Sequence, residues 1–160
     1  EHVPELIQKA EYADAYPTDF GARQGTTLAD AMDNTARGGY FRTSPPTYPN
    51  SAWCTLTDPM PYDVQFIEYF YWGLVANLGM LGDRSPRVCA DIESEWKLCT
   101  QSQFRATDTK LHAILTDPRF SLPQGRLMVR IGRHGGVPED YVQAYVLLHN
   151  RNLVLGGEVV

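Results

Sequence analysis

No G-x-S-x-G, P-loop or G-x-G-x-x-G segment occurs in these 160 residues, so the sequence marks of serine hydrolases, phosphate-cradling loops and dinucleotide folds are missing. Cysteine is scarce: there are three, and none forms the CxxC pair of zinc ribbons or thioredoxin-like sites. No internal repeat and no low-complexity tract is found. No basic-aromatic array is present, and the formal charge is −5, which argues against general affinity for nucleic acid or an anionic membrane. A bilayer span needs about 20 predominantly apolar residues, and no stretch prefers that role. No signal peptide is visible and the chain begins at Glu1, so a removed leader or pro-segment, or a fragment boundary, is expected.

What is present reads as globular. A hydrophobic fraction of 43% and a charged fraction of 21% belong to a packed protein, and the length predicts a single domain over 1–160. Charge is uneven: acids dominate residues 1–33 and arginines dominate 119–160.

The most apolar stretch is DVQFIEYFYWGLVANLGMLG, Asp63 to Gly82. Apolar side chains fall on every side of a helical wheel, the mark of a helix buried all round. Asp63 is a candidate N-cap, and Gly79 or Gly82 a candidate stop. This predicts a mainly α fold around a buried central helix (63–81), with long loops and little sheet. From Phe66 to Leu81 the one charge is Glu68, sharing a face with Val64, Tyr71, Trp72 and Val75. A buried carboxylate must protonate, pair or bind a cation. A hydrogen bond to a tyrosine, histidine or backbone group, an arginine such as Arg130 or Arg133, a metal, or an acid/base role would each account for it.

Elsewhere, residues 1–12 predict a helix with Val3, Leu6, Ile7 and Ala10 on one stripe. AYPTDFGARQG reads as a loop. TTLADAMDNTARGG reads as a helix capped by Thr26 or Thr27, with Leu28, Ala31 and Met32 inward and Gly38-Gly39 at its end. Five prolines between Tyr40 and Tyr62 predict an irregular excursion packed by its aromatics. ADIESEWKL predicts a short helix with Ile92, Trp96 and Leu98 inward. TDTKLHAILTD predicts another, capped by Thr107 or Asp108 and ended by Pro118. LMVRIGR allows a short strand, and PEDYVQAYVLLHNR a last helix opened by Pro138.

Cys89 and Cys99 flank ADIESEWKL. One straight helix would hold them about 15 Å apart, whereas a disulfide requires Cα atoms within about 7 Å. Their bond therefore demands a shorter helix, starting after Cys89 and ending before Cys99. We expect that bond, in an exported protein, with Cys54 left free or bonded to another chain.

Three segments, AYPTDFG…TTLADAMDNTARGGYF, EYFYWGLVANLG and RVCADIESEWKLCT…ILTDPRFSLP, resemble a pattern of uncharacterised exported proteins, mostly bacterial and marine, with a zinc-peptidase-like character. In that pattern an E-H-x-x-H segment precedes the loop and the aromatic helix carries a Glu. Two His and a carboxylate make a three-ligand zinc site with a position open for water. Here the segment reads Glu1-His2-Val3-Pro4-Glu5. The resemblance implies a metal set of His2, Glu5 and Glu68, with Glu5 where the second His would stand. That set has less preference for zinc, and Pro4 disturbs a helical presentation, so the departure counts against catalysis more than against the fold.

The remaining candidates carry less. His134, beside Arg133, reads as a loop residue or an anion contact; His112 as a core or boundary histidine; His149 as charge at a helix C-terminus. The Tyr62, Tyr69, Tyr71 and Trp72 patch reads as core before sugar platform. Two function classes follow. One is an exported non-catalytic structural or interaction domain on a zinc-peptidase-like scaffold, with a protein partner or a second copy. The other is a metal-dependent hydrolase, with zinc as the cofactor. Neither involves nucleic acid or a transmembrane segment.

Overall fold

A computed structural model describes residues 12–81 and 86–125. The predicted helix 1–12, strand LMVRIGR and last helix from Pro138 lie outside the described residues. Residues 12–124 belong to one compact unit that is mainly α, with no sheet among the described residues. Its α-helices are α1 (Ala13–Ala15), α2 (Pro17–Phe20), α3 (Thr27–Ala31), α4 (Tyr62–Asn77), α5 (Pro86–Asp91), α6 (Gln101–Thr107) and α7 (Thr109–Thr116). A π-helical turn, Met32–Ala36, extends α3, and a 3-10 turn, Pro118–Phe120, follows α7.

Helix α4 is the centre, as its apolar pattern predicts. Pro61 stands at the N-cap and Asp63 lies in the first turn, so Asp63 favours the helix N-terminus by its charge and not as the cap. The C-terminus closes as a Schellman motif: Gly79 N–H donates to Ala76 O (2.9 Å) and Met80 N–H to Val75 O (3.0 Å). Gly79 supplies the required positive φ of 67°. Burial, however, is not uniform around the helix. Phe66, Tyr69, Phe70, Leu74 and Ala76 are buried, while Val64, Glu68, Tyr71 and Trp72 form a half-buried stripe. Sequence grouping of that face was right; full burial of it was not. An all-round apolar helix holds no local signal for which side its neighbours leave partly open.

Helices α6 and α7 pack on α4, and Gly73 is where they come closest. A Cβ built there meets Leu111 Cδ2 at 2.1 Å and Phe104 Cε2 at 3.7 Å. Alanine at 73 gains about 1 kcal/mol of helix propensity, but overpacking a core costs typically about 1–3 kcal/mol. Because Leu111 is fully buried and cannot swing away, the clash dominates, and Gly73→Ala should lower stability by about 1–2 kcal/mol. A double-mutant cycle checks this: in a Leu111→Ala background the same change should become neutral or stabilising. Equal costs in both backgrounds would exclude the clash.

Helix α3 starts at Thr26, whose hydroxyl accepts from Ala29 N–H, and it buries Leu28, Ala31 and Met32 as predicted. Within AYPTDFGARQG, expected as loop, residues 22–25 are bend and turn, but Pro17–Phe20 forms the short helix α2, directly after α1. They are held by tertiary contacts: Tyr12 OH donates to Phe120 O (2.8 Å) and Tyr16 OH to Arg119 O (2.9 Å), and Phe20 packs edge-on against Phe70 and Phe120. The excursion from 40 to 61 is irregular, as its prolines predict. It closes on itself through a Thr43–Pro61 bridge and a bond from Tyr48 OH to Leu56 O (2.9 Å).

The ADIESEWKL segment departs from expectation. The helix runs Pro86–Asp91 and contains Cys89, and the chain then turns through 92–95. Residues 94–97 give their backbone groups to the excursion: Thr55 N–H donates to Glu95 O (2.9 Å), Lys97 N–H to Trp53 O (3.0 Å), and Cys54 bridges Trp96. Trp96 and Leu98 still face the core. Helix α6 was not anticipated, because only Phe104 of its residues is buried and no apolar period exists. Its signal was polar: Thr100 and Gln103 form a complete capping box.

Candidate functional site

The cysteine pairing is as predicted. Cys89 and Cys99 are bonded with Cα atoms 5.8 Å apart, and Cys54 is free and buried. The route differs from the one expected. An end to the helix at Asp91, not a start after Cys89, brings the two together. The disulfide lines an open cavity of about 440 Å³ together with Ala90, Glu93, Trp96 and Lys97.

Glu68, the predicted carboxylate, is half-buried on the outer stripe of α4. His2 and Glu5, its predicted companions, lie outside the described residues, as do Arg130, Arg133, His134 and His149. Among the described residues, no three His, Cys, Asp or Glu side chains form a group able to hold a metal. His112 is a boundary residue on α7, as predicted, with its ring edge-on to Phe104 at 6.0 Å. Burial and, less strongly, Arg105 hold its pKa below the usual histidine value.

Among the described residues, the buried carboxylates are two others. Asp108, between α6 and α7, has no exposed surface. Its Oδ1 accepts from Leu111 N–H (3.1 Å), which makes it the N-cap of α7. Its Oδ2 accepts from Trp53 Nε1–H (3.0 Å) and Tyr69 OH (2.9 Å). One side chain thus ties the excursion, α4 and α7 together. Burial raises its pKa, and these three donors offset the rise only in part. Tyr69, buried beside it, is pushed well above the ordinary phenol range, by burial first and by Asp108 second. The enclosed Cys54 thiol is pushed up to about 12, chiefly by burial, so it stays protonated and unreactive.

The second is Asp33, in the π-helical turn. Its Oδ2 accepts from Tyr62 OH (2.8 Å), and its Oδ1 lies 3.9 Å from Arg37 Nη2. Arg37 is fully buried, donates from Nη2 to Phe41 O (3.3 Å), and lies over the Phe41 ring at 5.3 Å. Gln65, also fully buried, donates to the same Phe41 carbonyl (3.4 Å) and to Met60 O (2.7 Å). Burial raises the Asp33 pKa, against the pull of Tyr62 and Arg37.

Sequence reasoning named Asp108 only as a possible cap and passed over Asp33, Arg37 and Gln65. The i,i+4 spacing of Asp33 and Arg37 was the available signal. The tyrosine patch divides: Tyr69 is core, whereas Tyr62, Tyr71 and Trp72 are half-buried. Comparison with family models, curated proteins and solved structures finds no match for this chain.

Proposed function

We propose that this chain is an exported, non-catalytic structural or interaction domain on a zinc-peptidase-like helical scaffold, working with a protein partner or a second copy. One observation carries the reading: among the described residues, the enclosed groups of shifted pKa do not line the cavity beside the disulfide. An enzyme site joins a cleft to titratable groups of shifted pKa. Here Asp33, Tyr69, Asp108 and Cys54 are enclosed in the core, and the first three act as braces. The cavity beside the disulfide is lined by none of them. The disulfide supports export, because such bonds persist in oxidising compartments. No described helix is long and apolar enough to cross a membrane.

The second reading is a metal-dependent hydrolase with His2, Glu5 and Glu68 as ligands. Its support is the half-buried position of Glu68, where a carboxylate can be reached by another segment. Elemental analysis of the purified chain beside Glu68→Gln, with a peptide-hydrolysis assay with and without added zinc, separates the two. The structural reading expects no stoichiometric metal in either protein and no zinc-dependent cleavage. Stoichiometric zinc and zinc-dependent cleavage, both lost in Glu68→Gln, would establish the hydrolase reading instead.

A further inference from the structure

Among the described residues, three buried side-chain atoms without a hydrogen-bond partner belong to one connected cluster: Asp33 Oδ1, Arg37 Nε and Gln65 Oε1. Their residues are 6%, 0% and 0% exposed. The side-chain ends are drawn together by shared partners. Arg37 and Gln65 both donate to Phe41 O, and Asp33 Oδ1 stands 3.9 Å from Arg37 Nη2. Leaving such groups unmet in a core costs their full desolvation penalty, and more where the group is charged. Native interiors meet this demand with ordered water, about one molecule per 27 residues, each making about three bonds.

The donor and acceptor inventory selects the occupant. An anion would suit the guanidinium but would face two acceptor oxygens, Asp33 Oδ1 and Gln65 Oε1. A metal cation would suit those oxygens but would face Arg37. An apolar group would satisfy none of the three. Only a small molecule that both donates and accepts answers all of them. The 3.9 Å between Asp33 Oδ1 and Arg37 Nη2 is too long for a direct hydrogen bond, yet two legs of about 2.8 Å meeting at one oxygen span it.

We propose that one ordered water molecule is built into this cluster, accepting from the Arg37 guanidinium and donating to Asp33 Oδ1 and Gln65 Oε1. The water completes a buried ion pair that the side chains alone leave open. It also joins three parts of the fold: the π-helical turn, the residue 40–61 excursion and the start of α4. The site belongs to the architecture and is independent of the proposed function.

The test is a high-resolution crystal structure of the full chain, with a second crystal soaked in sodium bromide. The expected result is a single spherical peak within hydrogen-bond distance of Arg37, Asp33 Oδ1 and Gln65 Oε1, without anomalous signal after the soak. In Asp33→Leu the peak should be lost. A map with no peak would overturn the proposal, whether or not Asp33 and Arg37 bond directly, and so would a bromide anomalous peak, which would mark an anion site. The wild-type maps decide the matter even if Asp33→Leu does not fold.

Discussion

Replacing Asp108 with alanine should destabilise the domain by about 3–5 kcal/mol, the range for breaking a buried network. Two losses combine. Helix α7 loses its N-cap, worth about 1 kcal/mol, because Leu111 N–H no longer meets Oδ1. Trp53 Nε1–H and Tyr69 OH lose their common acceptor, and Tyr69 is enclosed where water cannot replace it. Denaturant unfolding of the oxidised protein is the measurement. A shift under about 1 kcal/mol, the range of surface substitutions, would mean that Asp108 is not the brace described.

The pH dependence of the same site has a definite sign. The folded-state pKa of Asp108 is raised above its unfolded value, so the native state binds the proton more readily. Its contribution therefore falls as pH rises through the folded pKa, and it recovers on acidification toward the ordinary carboxylate range. Asp33 behaves alike. Asp30, whose pKa is lowered first by its bond to Lys110, has the opposite trend. Asparagine at 108 does not titrate. The stability gap between wild type and Asp108→Asn should consequently widen as pH falls from neutrality toward about 4. A gap that narrows would contradict the sign.

Trp96→Ala should cost about 3–5 kcal/mol, as for large aromatic truncation in a core. Trp96 is fully buried, lies 6.2 Å from both Tyr69 and Phe104 by ring centroids, and donates from Nε1 to Leu98 O (2.9 Å). Truncation leaves a cavity and strands that carbonyl. Trp72, which the sequence places on the core helix, should cost less, about 1–2 kcal/mol, since its area removed from water is smaller. It is half-buried, and its Nε1 has no hydrogen-bond partner to lose. Parallel unfolding curves give the ranking. If Trp72→Ala proves the more damaging, the assignment of the two faces is wrong.

The elements that were legible are those whose cause lies within a few residues. Apolar residues on all sides of 62–77 make a central helix whatever surrounds it. Thr26 and Asp108 stand where caps must stand, Gly38 and Gly79 where left-handed turns close helices. The spacing of Cys89 and Cys99 meant that a bond between them requires a break in the helix.

Which polar side chains end up inside was not legible, because burial depends on groups supplied from far along the chain. Asp108 meets Trp53 and Tyr69 across 55 and 39 residues, and Asp33 meets Tyr62 across 29. Glu68 sits in a more apolar run than any of these, yet it lies on the half-buried stripe. Asp33 and Arg37 lie in a polar run and are enclosed, since Tyr62, Phe41 and Gln65 close over them. Local pattern therefore determined the central helix, α3 and α7 with their caps, and it pointed to the disulfide. Tertiary packing alone decided which carboxylates entered the core, because a buried charge is tolerated only where distant segments bring it partners.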